Sequence, residues 1–157
     1  MTEQEAFTKI QKLCSQQEKC IQDVKLKLTS WKIEPGAADK IIKLLIEQKF
    51  IDETRYAKSF VNDKFRFNKW GKAKIAYNLR QKKIDKTLID KTLETIDAED
   101  YIATITELLQ KKRKTIRDSD LLTIRHKLVK FAYSKGFDYE AILQAVQAVL
   151  NEENSGN

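Results

Sequence analysis

A helix, a tight turn and a second helix recur three times along this chain at a spacing of 51 to 53 residues. Self-similarity of that kind restricts the fold to a row of like units. Val24, Leu28, Ile33, Ala38 and Ile42 return 51 residues later as Ile75, Leu79, Ile84, Ile89 and Leu93. A further 53 residues on stand Leu128, Ala132, Phe137, Ile142 and Val146. All are apolar, and each set keeps the same internal spacing, so each unit buries the same face of its helices.

The turn is the sharpest part of the repeat. Trp31-Lys32-Ile33-Glu34, Lys82-Lys83-Ile84-Asp85 and Lys135-Gly136-Phe137-Asp138 follow one logic. The second residue takes the left-handed position that ends a helix, which glycine enters freely and lysine enters at a cost of roughly 1 kcal/mol. The apolar third residue folds back on the helix just ended. The acidic fourth caps the next helix, with Pro35 at the first helical position in the first copy.

Each pair follows another amphipathic stretch: Ala6, Phe7, Ile10, Leu13 and Cys14; Tyr56, Ala57, Phe60 and Val61; Ile102, Ile105, Leu108 and Leu109. Asp52 and Asp97 are positioned to cap the second and third of these, Asp97 together with Asp100. One proline and four glycines in 157 residues leave long helices uninterrupted. The expected fold is all-α, an elongated tandem array of three three-helix, helix-turn-helix-like units at 3–49, 52–96 and 98–151, with a disordered tail at 152–157.

A formal net charge of +7 favours an anionic partner. The charge is concentrated. Lys64, Arg66, Lys69, Lys72, Lys74, Arg80, Lys82 and Lys83 fall in one stretch with no acid among them. Lys111, Lys112, Arg113, Lys114, Arg117, Arg125, Lys127, Lys130 and Lys135 fall in a second, against Asp118 and Asp120. Ordinary surfaces intersperse the two signs, so these runs are candidate binding surfaces for nucleic acid or an acidic protein face. Trp70 and Tyr77 interleave the first run and join its cations as candidates. Phe65 and Phe67 lie about 200° apart on a helix, so one of them faces away from the core.

Catalytic and cofactor chemistry finds no foothold. Cys14, Cys20 and a lone His126 cannot assemble a four-ligand metal set, and neither a nucleophile elbow nor a phosphate-cradling glycine loop occurs. The reading is a non-enzymatic binding protein without a cofactor. The polar, acidic start and the lack of an apolar run near the ~18 residues that spanning requires point to a cytoplasmic protein with no membrane partner.

Helix-turn-helix pairs also invite a reading as a protein that contacts duplex DNA directly. Such motifs read bases with the helix after the turn. Here that helix in the third unit, from Tyr139 to Glu152, has no basic residue, and in the second unit Lys86 and Lys91 are offset by Asp90 and Glu94.

Phe50-Ile51-Asp52-Glu53-Thr54-Arg55-Tyr56-Ala57-Lys58-Ser59-Phe60-Val61 resembles the RecX signature, in which an acidic pair leads into R-[FY]-A-x-x-[FY]-[VI]. Trp70-Gly71-Lys72-Ala73-Lys74-Ile75, followed by Leu79-Arg80-Gln81-Lys82-Lys83-Ile84, resembles that family's G-x-x-[KR]-I-x-x-x-L-x-x-K-[GK]-I block. Lys83 stands where glycine is frequent, and Asn78 where glutamate is usual. The resemblance implies a monomeric array of three-helix units that binds the RecA recombinase and its filament on single-stranded DNA, with double-stranded DNA as a further ligand. It implies restraint of ATP hydrolysis and strand exchange in recombinational repair.

Three units in a row predict a radius of gyration well above the ~15 Å of a compact globule of this length, which solution scattering measures directly.

Overall fold

The computed structural model describes residues 1–155. Regular structure among them is entirely helical: α1 Glu3–Gln16, α2 Ile21–Ser30, α3 Pro35–Glu47, α4 Glu53–Arg66, α5 Lys72–Gln81, α6 Lys86–Leu93, α7 Ala98–Arg113, α8 Leu121–Ser134 and α9 Tyr139–Ser155. Every apolar position of the repeat is buried except Ile33, which is half-buried against the core.

The turns close as the repeat predicts. Lys32, Lys83 and Gly136 have φ of 60°, 58° and 91°. The apolar residue that follows donates its amide back across the turn: Ile33 to the Leu28 carbonyl at 3.1 Å, Ile84 to Leu79 at 3.1 Å and Phe137 to Ala132 at 3.4 Å. This is the six-to-one closure of a left-handed helix stop. Lys49 and Lys69, at φ 63° and 57°, end α3 and α4 in the same conformation. The sequence conceals these two because no glycine marks them.

Capping follows the expected acids in all but one case. Asp85 accepts from the Thr87 amide, Asp138 from Ala141, Asp52 from Arg55 and Asp97 from Asp100. Glu34 makes no side-chain cap. Its extra methylene misplaces the carboxylate, and Pro35 at the first helical position sets the start of α3 instead. Cys20 takes an unforeseen capping role, its thiol and the Asp23 carboxylate closing a reciprocal box at the start of α2.

The last helix runs on into the segment expected as a tail at 152–157. Helix α9 continues to Ser155 because α7 supplies partners: Gln110 donates to Glu152 at 2.9 Å and Arg113 pairs with Glu153 at 2.5 Å. Gly156 and Asn157 lie outside the described residues.

The chain divides into two compact units, and the division passes through α4, α5 and α6. The first unit holds Met1–Asn62 with Asn78–Ile89. Its core gathers Ile10 of α1, Val24 and Leu28 of α2, and Ile41, Ile42 and Leu45 of α3. Polar residues then close the helix ends around that core. Asp52 caps α4, and Glu53 accepts from the Ile21 amide at the start of α2 at 3.4 Å. Arg55 donates to the Lys49 and Phe50 carbonyls beyond the end of α3, at 3.1 and 3.3 Å, and pairs with Glu18 at 2.5 Å.

The second unit holds Asp63–Tyr77 and the chain from Asp90 onward. Here α7 packs on α8 and α9. Tyr101 lies between Phe65 and Phe137, with ring centroids 5.9 and 5.3 Å away. The start of α5 is bonded into the turn between α8 and α9. Gly71 donates to the Lys135 carbonyl at 2.8 Å, Ala73 to Gly136 at 3.0 Å, and the Lys72 amide to the Tyr101 hydroxyl at 3.0 Å. The approach needs glycine on both sides. A Cβ on Gly71 would sit 2.2 Å from the Gly136 carbonyl carbon, and one on Gly136 would sit 2.4 Å from the Lys74 Cβ.

Gly71→Ala is therefore expected to lower stability by about 3 kcal/mol through overpacking against backbone, and the melting temperature by roughly 6–12 °C. Lys83→Gly should raise stability by about 1 kcal/mol by relieving a left-handed lysine. Thermal melts of both variants check the pair, and an unshifted Gly71→Ala melt would contradict the close approach.

Candidate nucleic-acid and partner interface

Lysines in these helices gather on aromatic rings. Trp70, half-buried before α5, has the Lys64 ammonium of α4 at 4.9 Å from a ring centroid and the Lys74 ammonium of α5 at 4.6 Å. Phe131 of α8 has Lys112 of α7 at 5.0 Å and Lys135 at 5.7 Å. Trp31, at the end of α2, has Lys9 of α1 and Lys27 of α2, each at 5.7 Å. The construction is the same each time. One lysine lies four residues from the ring along the chain, and the other comes from the preceding long helix. The ring's negative face attracts the ammonium groups.

The first basic run divides between roles. Arg66, Tyr77 and Arg80 are exposed, Tyr77 by 56%. Phe67 is 77% exposed while Phe65 is buried, which identifies the outward ring. Lys64 and Lys74 are organised by Trp70, and Lys72 has its ammonium 4.9 Å from the Tyr101 ring centroid. Lys69 and Lys83 are helix-ending residues as well as cations. Lys82 is engaged inside the first compact unit, donating to Asp23 at 2.6 Å. Burial opposes charge on Asp23, but hydrogen bonds from Lys82 and from the Cys20 amide outweigh it and hold the carboxyl below its ordinary value. The hydrogen bond to Asp23 in turn raises Lys82.

The second run is similarly mixed. Lys111 pairs with Glu107 at 3.5 Å, Arg113 with Glu153, and Lys127 with Asp118. Lys112, Arg117, Lys127 and Lys130 line a trough of about 670 Å³ beside Phe131, with Asp118 the carboxylate at its rim. Lys114 borders a second hollow with Gln110, and Arg125 is half-buried on α8. Four cations against one carboxylate, Asp118, which Lys127 pairs, leave the Phe131 trough with a net positive lining. Sequence reasoning missed Lys9, Lys27 and Trp31, because Glu18 and Asp23 lie between the two lysines and mask them in a count of charge runs. The signal available was the Lys27 to Trp31 spacing of four.

Among the described residues, no group of three or more His, Cys, Asp and Glu side chains could hold a metal ion. His126 is exposed, and Cys20 is a buried free thiol pushed up to about 11 by that burial. No described helix is long and apolar enough to cross a membrane.

Residues 52–93 match the family model for the second three-helix domain of RecX, and residues 99–146 match that for the third. The chain belongs to the RecX family. It is 38% identical over 138 residues to the regulatory protein RecX of Clostridium botulinum strain Alaska E43, covering 87% of this chain. It is 30% identical over 136 residues to that of Clostridium acetobutylicum, covering 84%. The alignment spans 63% of the length of each of these relatives. Crystal structures of RecX share the fold. That from Lactobacillus salivarius superposes with a TM-score of 0.85 at 22% identity, covering 94% of this chain and 96% of its own. A second RecX structure gives 0.81 at 24% identity, covering 88% and 68%.

RecX membership gives the signature residues a new meaning, because most of them act within the protein. Asp52, Glu53 and Arg55 each close a different helix end, Gly71 admits a backbone contact, and Lys82 neutralises Asp23. The exposed positions of the same stretch include Arg66, Phe67, Tyr77 and Arg80.

The Asp23–Lys82 pair makes a pH-dependent prediction. A depressed carboxyl contributes stability above its ordinary pKa of about 3.9 and loses it as pH falls through the lower folded value. A raised lysine contributes below about 10.4 and loses it as pH rises through the higher folded value. Lys82→Ala should therefore cost about 0.5–1 kcal/mol at pH 7, allowing for solvent screening. Urea unfolding of both proteins should show that gap narrowing as Asp23 is protonated in acid.

Proposed function

We propose that this chain regulates the RecA recombinase, binding its filament on single-stranded DNA and inhibiting ATP hydrolysis and strand exchange without catalysing a reaction of its own. Membership of a family whose relatives carry the name regulatory protein RecX supports the regulatory part of this reading. The observation that carries the binding part is the segment from α4 to α5. Two lysines are held on Trp70, and Arg66, Phe67, Tyr77 and Arg80 are exposed in a stretch without an acid.

Cations beside exposed aromatic rings suit both phosphate chains and acidic protein faces. Three-helix units at 3–49, 52–96 and 98–151, each contributing modest contacts, would bind a repetitive filament with an avidity that one unit lacks. The protein acts in the cytoplasm, as a monomer, on this proposal.

The test measures RecA's DNA-dependent ATP hydrolysis and strand exchange against increasing amounts of the chain. Inhibition of both is expected. A variant carrying Arg66→Glu, Tyr77→Ala and Arg80→Glu should need about tenfold more protein for the same effect, equivalent to about 1.4 kcal/mol. All three side chains are exposed. Absence of any effect by the unaltered chain on its cognate recombinase would refute the proposal. Tight binding to one duplex sequence in place of inhibition would favour the direct DNA-reading alternative.

A further inference from the structure

We infer that Trp31, Lys9 and Lys27 form a phosphate-binding site that takes the backbone of a single-stranded nucleic acid. This rests on the nucleic-acid part of the function proposed above and extends it to a surface in the first compact unit that no basic run in the sequence marks.

Geometry carries the inference. Lys9 is exposed on α1 and Lys27 is exposed on α2, yet both ammonium groups converge on one indole at 5.7 Å. Trp31 is half-buried, packed on one side against the core of α1, α2 and α3, so the ring is fixed and its cations are positioned by it. Each ammonium lies 5.7 Å from the ring centroid, so the two are at most about 11 Å apart, within reach of one phosphate on long side-chain stems.

Local charge balance does not cancel the site. The only acids between Lys9 and Lys27 in sequence are Glu18 and Asp23. Glu18 is paired with Arg55, and Asp23 is held by Lys82 and the Cys20 amide. Folding thus commits both of these acids to other partners, and Lys9 and Lys27 are both exposed. Glu5 on α1 and Glu34 beyond the turn are the nearest remaining acids to them in sequence. The construction matches those at Trp70 and Phe131, each with one lysine four residues away and one from the preceding long helix. Contacts of this kind read phosphate and not base identity, so binding is independent of sequence. A single strand suits a small, isolated cation pair because its backbone adjusts to the spacing of the lysines.

The chain contains only two tryptophans, Trp31 and Trp70, which makes the site directly observable. In a Trp70→Phe variant all tryptophan emission comes from Trp31. Titration with a labelled oligothymidylate of about ten nucleotides, without RecA, should change that emission in step with the anisotropy of the label. Lys9→Gln with Lys27→Gln should weaken binding several-fold and flatten the dependence of log affinity on log salt by about 1.4, at roughly 0.7 for each phosphate no longer neutralised. Binding seen by anisotropy while Trp31 emission stays constant would overturn the inference, as would an unaltered salt slope in the double variant.

A duplex of equal length that binds better and shifts Trp31 more would overturn the assignment to a single strand. If the double variant keeps its oligonucleotide affinity but loses inhibition of RecA, the surface meets an acidic protein face and the inference fails. If the oligonucleotide results hold while the unaltered chain leaves RecA unaffected, the site stands and the regulatory proposal falls.

Discussion

Each helix pair in this protein depends on one residue held in a left-handed conformation. Only there does the chain reverse sharply enough for the apolar third residue of the turn to donate its amide back across the stop and pack on the helix it has just left. Among the described residues, four of the five in this conformation are lysines. Lysine meets a steric penalty in this region that glycine avoids, and the closure bonds and the burial of Ile84 and its counterparts offset it. In the first repeat the turn returns α3 onto α2, so that Val24, Leu28, Ala38 and Ile42 share one core.

Those positions are readable because burial imposes a strict period. The apolar sets beginning at Val24, Ile75 and Leu128 require no knowledge of which helix lies on which. Glu34 misleads for a local reason: acid type and turn position fit, but one methylene decides whether a carboxylate reaches the next amide. The ends at Lys49 and Lys69 escape notice because strain borne by lysine leaves no compositional trace. The end of α9 escapes because it depends on Gln110 and Arg113, some forty residues away.

Legibility is poorer for the site. A run of cations in sequence identifies a basic segment, but pairing decides which members face outward. Lys82 and Arg113 belong to the runs and are engaged by Asp23 and Glu153, whereas Lys9 and Lys27 belong to neither run and converge on Trp31. Residue spacing of four between lysine and aromatic is the local trace of this arrangement. Its other half, a lysine from a separate helix, exists only in three dimensions. The signature by which the family is recognised is likewise chiefly a record of helix closure.

The start of α5 has a consequence for how this protein would handle a polyanion. Helix beginnings ordinarily offer a row of amide hydrogens that grips a phosphate at a set distance and angle. Here the amides of Gly71, Lys72 and Ala73 are already occupied by the Lys135 carbonyl, the Tyr101 hydroxyl and the Gly136 carbonyl. At the start of α5, then, a phosphate bound as proposed would be met by side chains and not by these backbone amides. Ammonium and guanidinium groups on long stems can pass a phosphate from one to the next without a conformational change. Contacts of this sort would be loose in register, tolerating any spacing of phosphates along a strand.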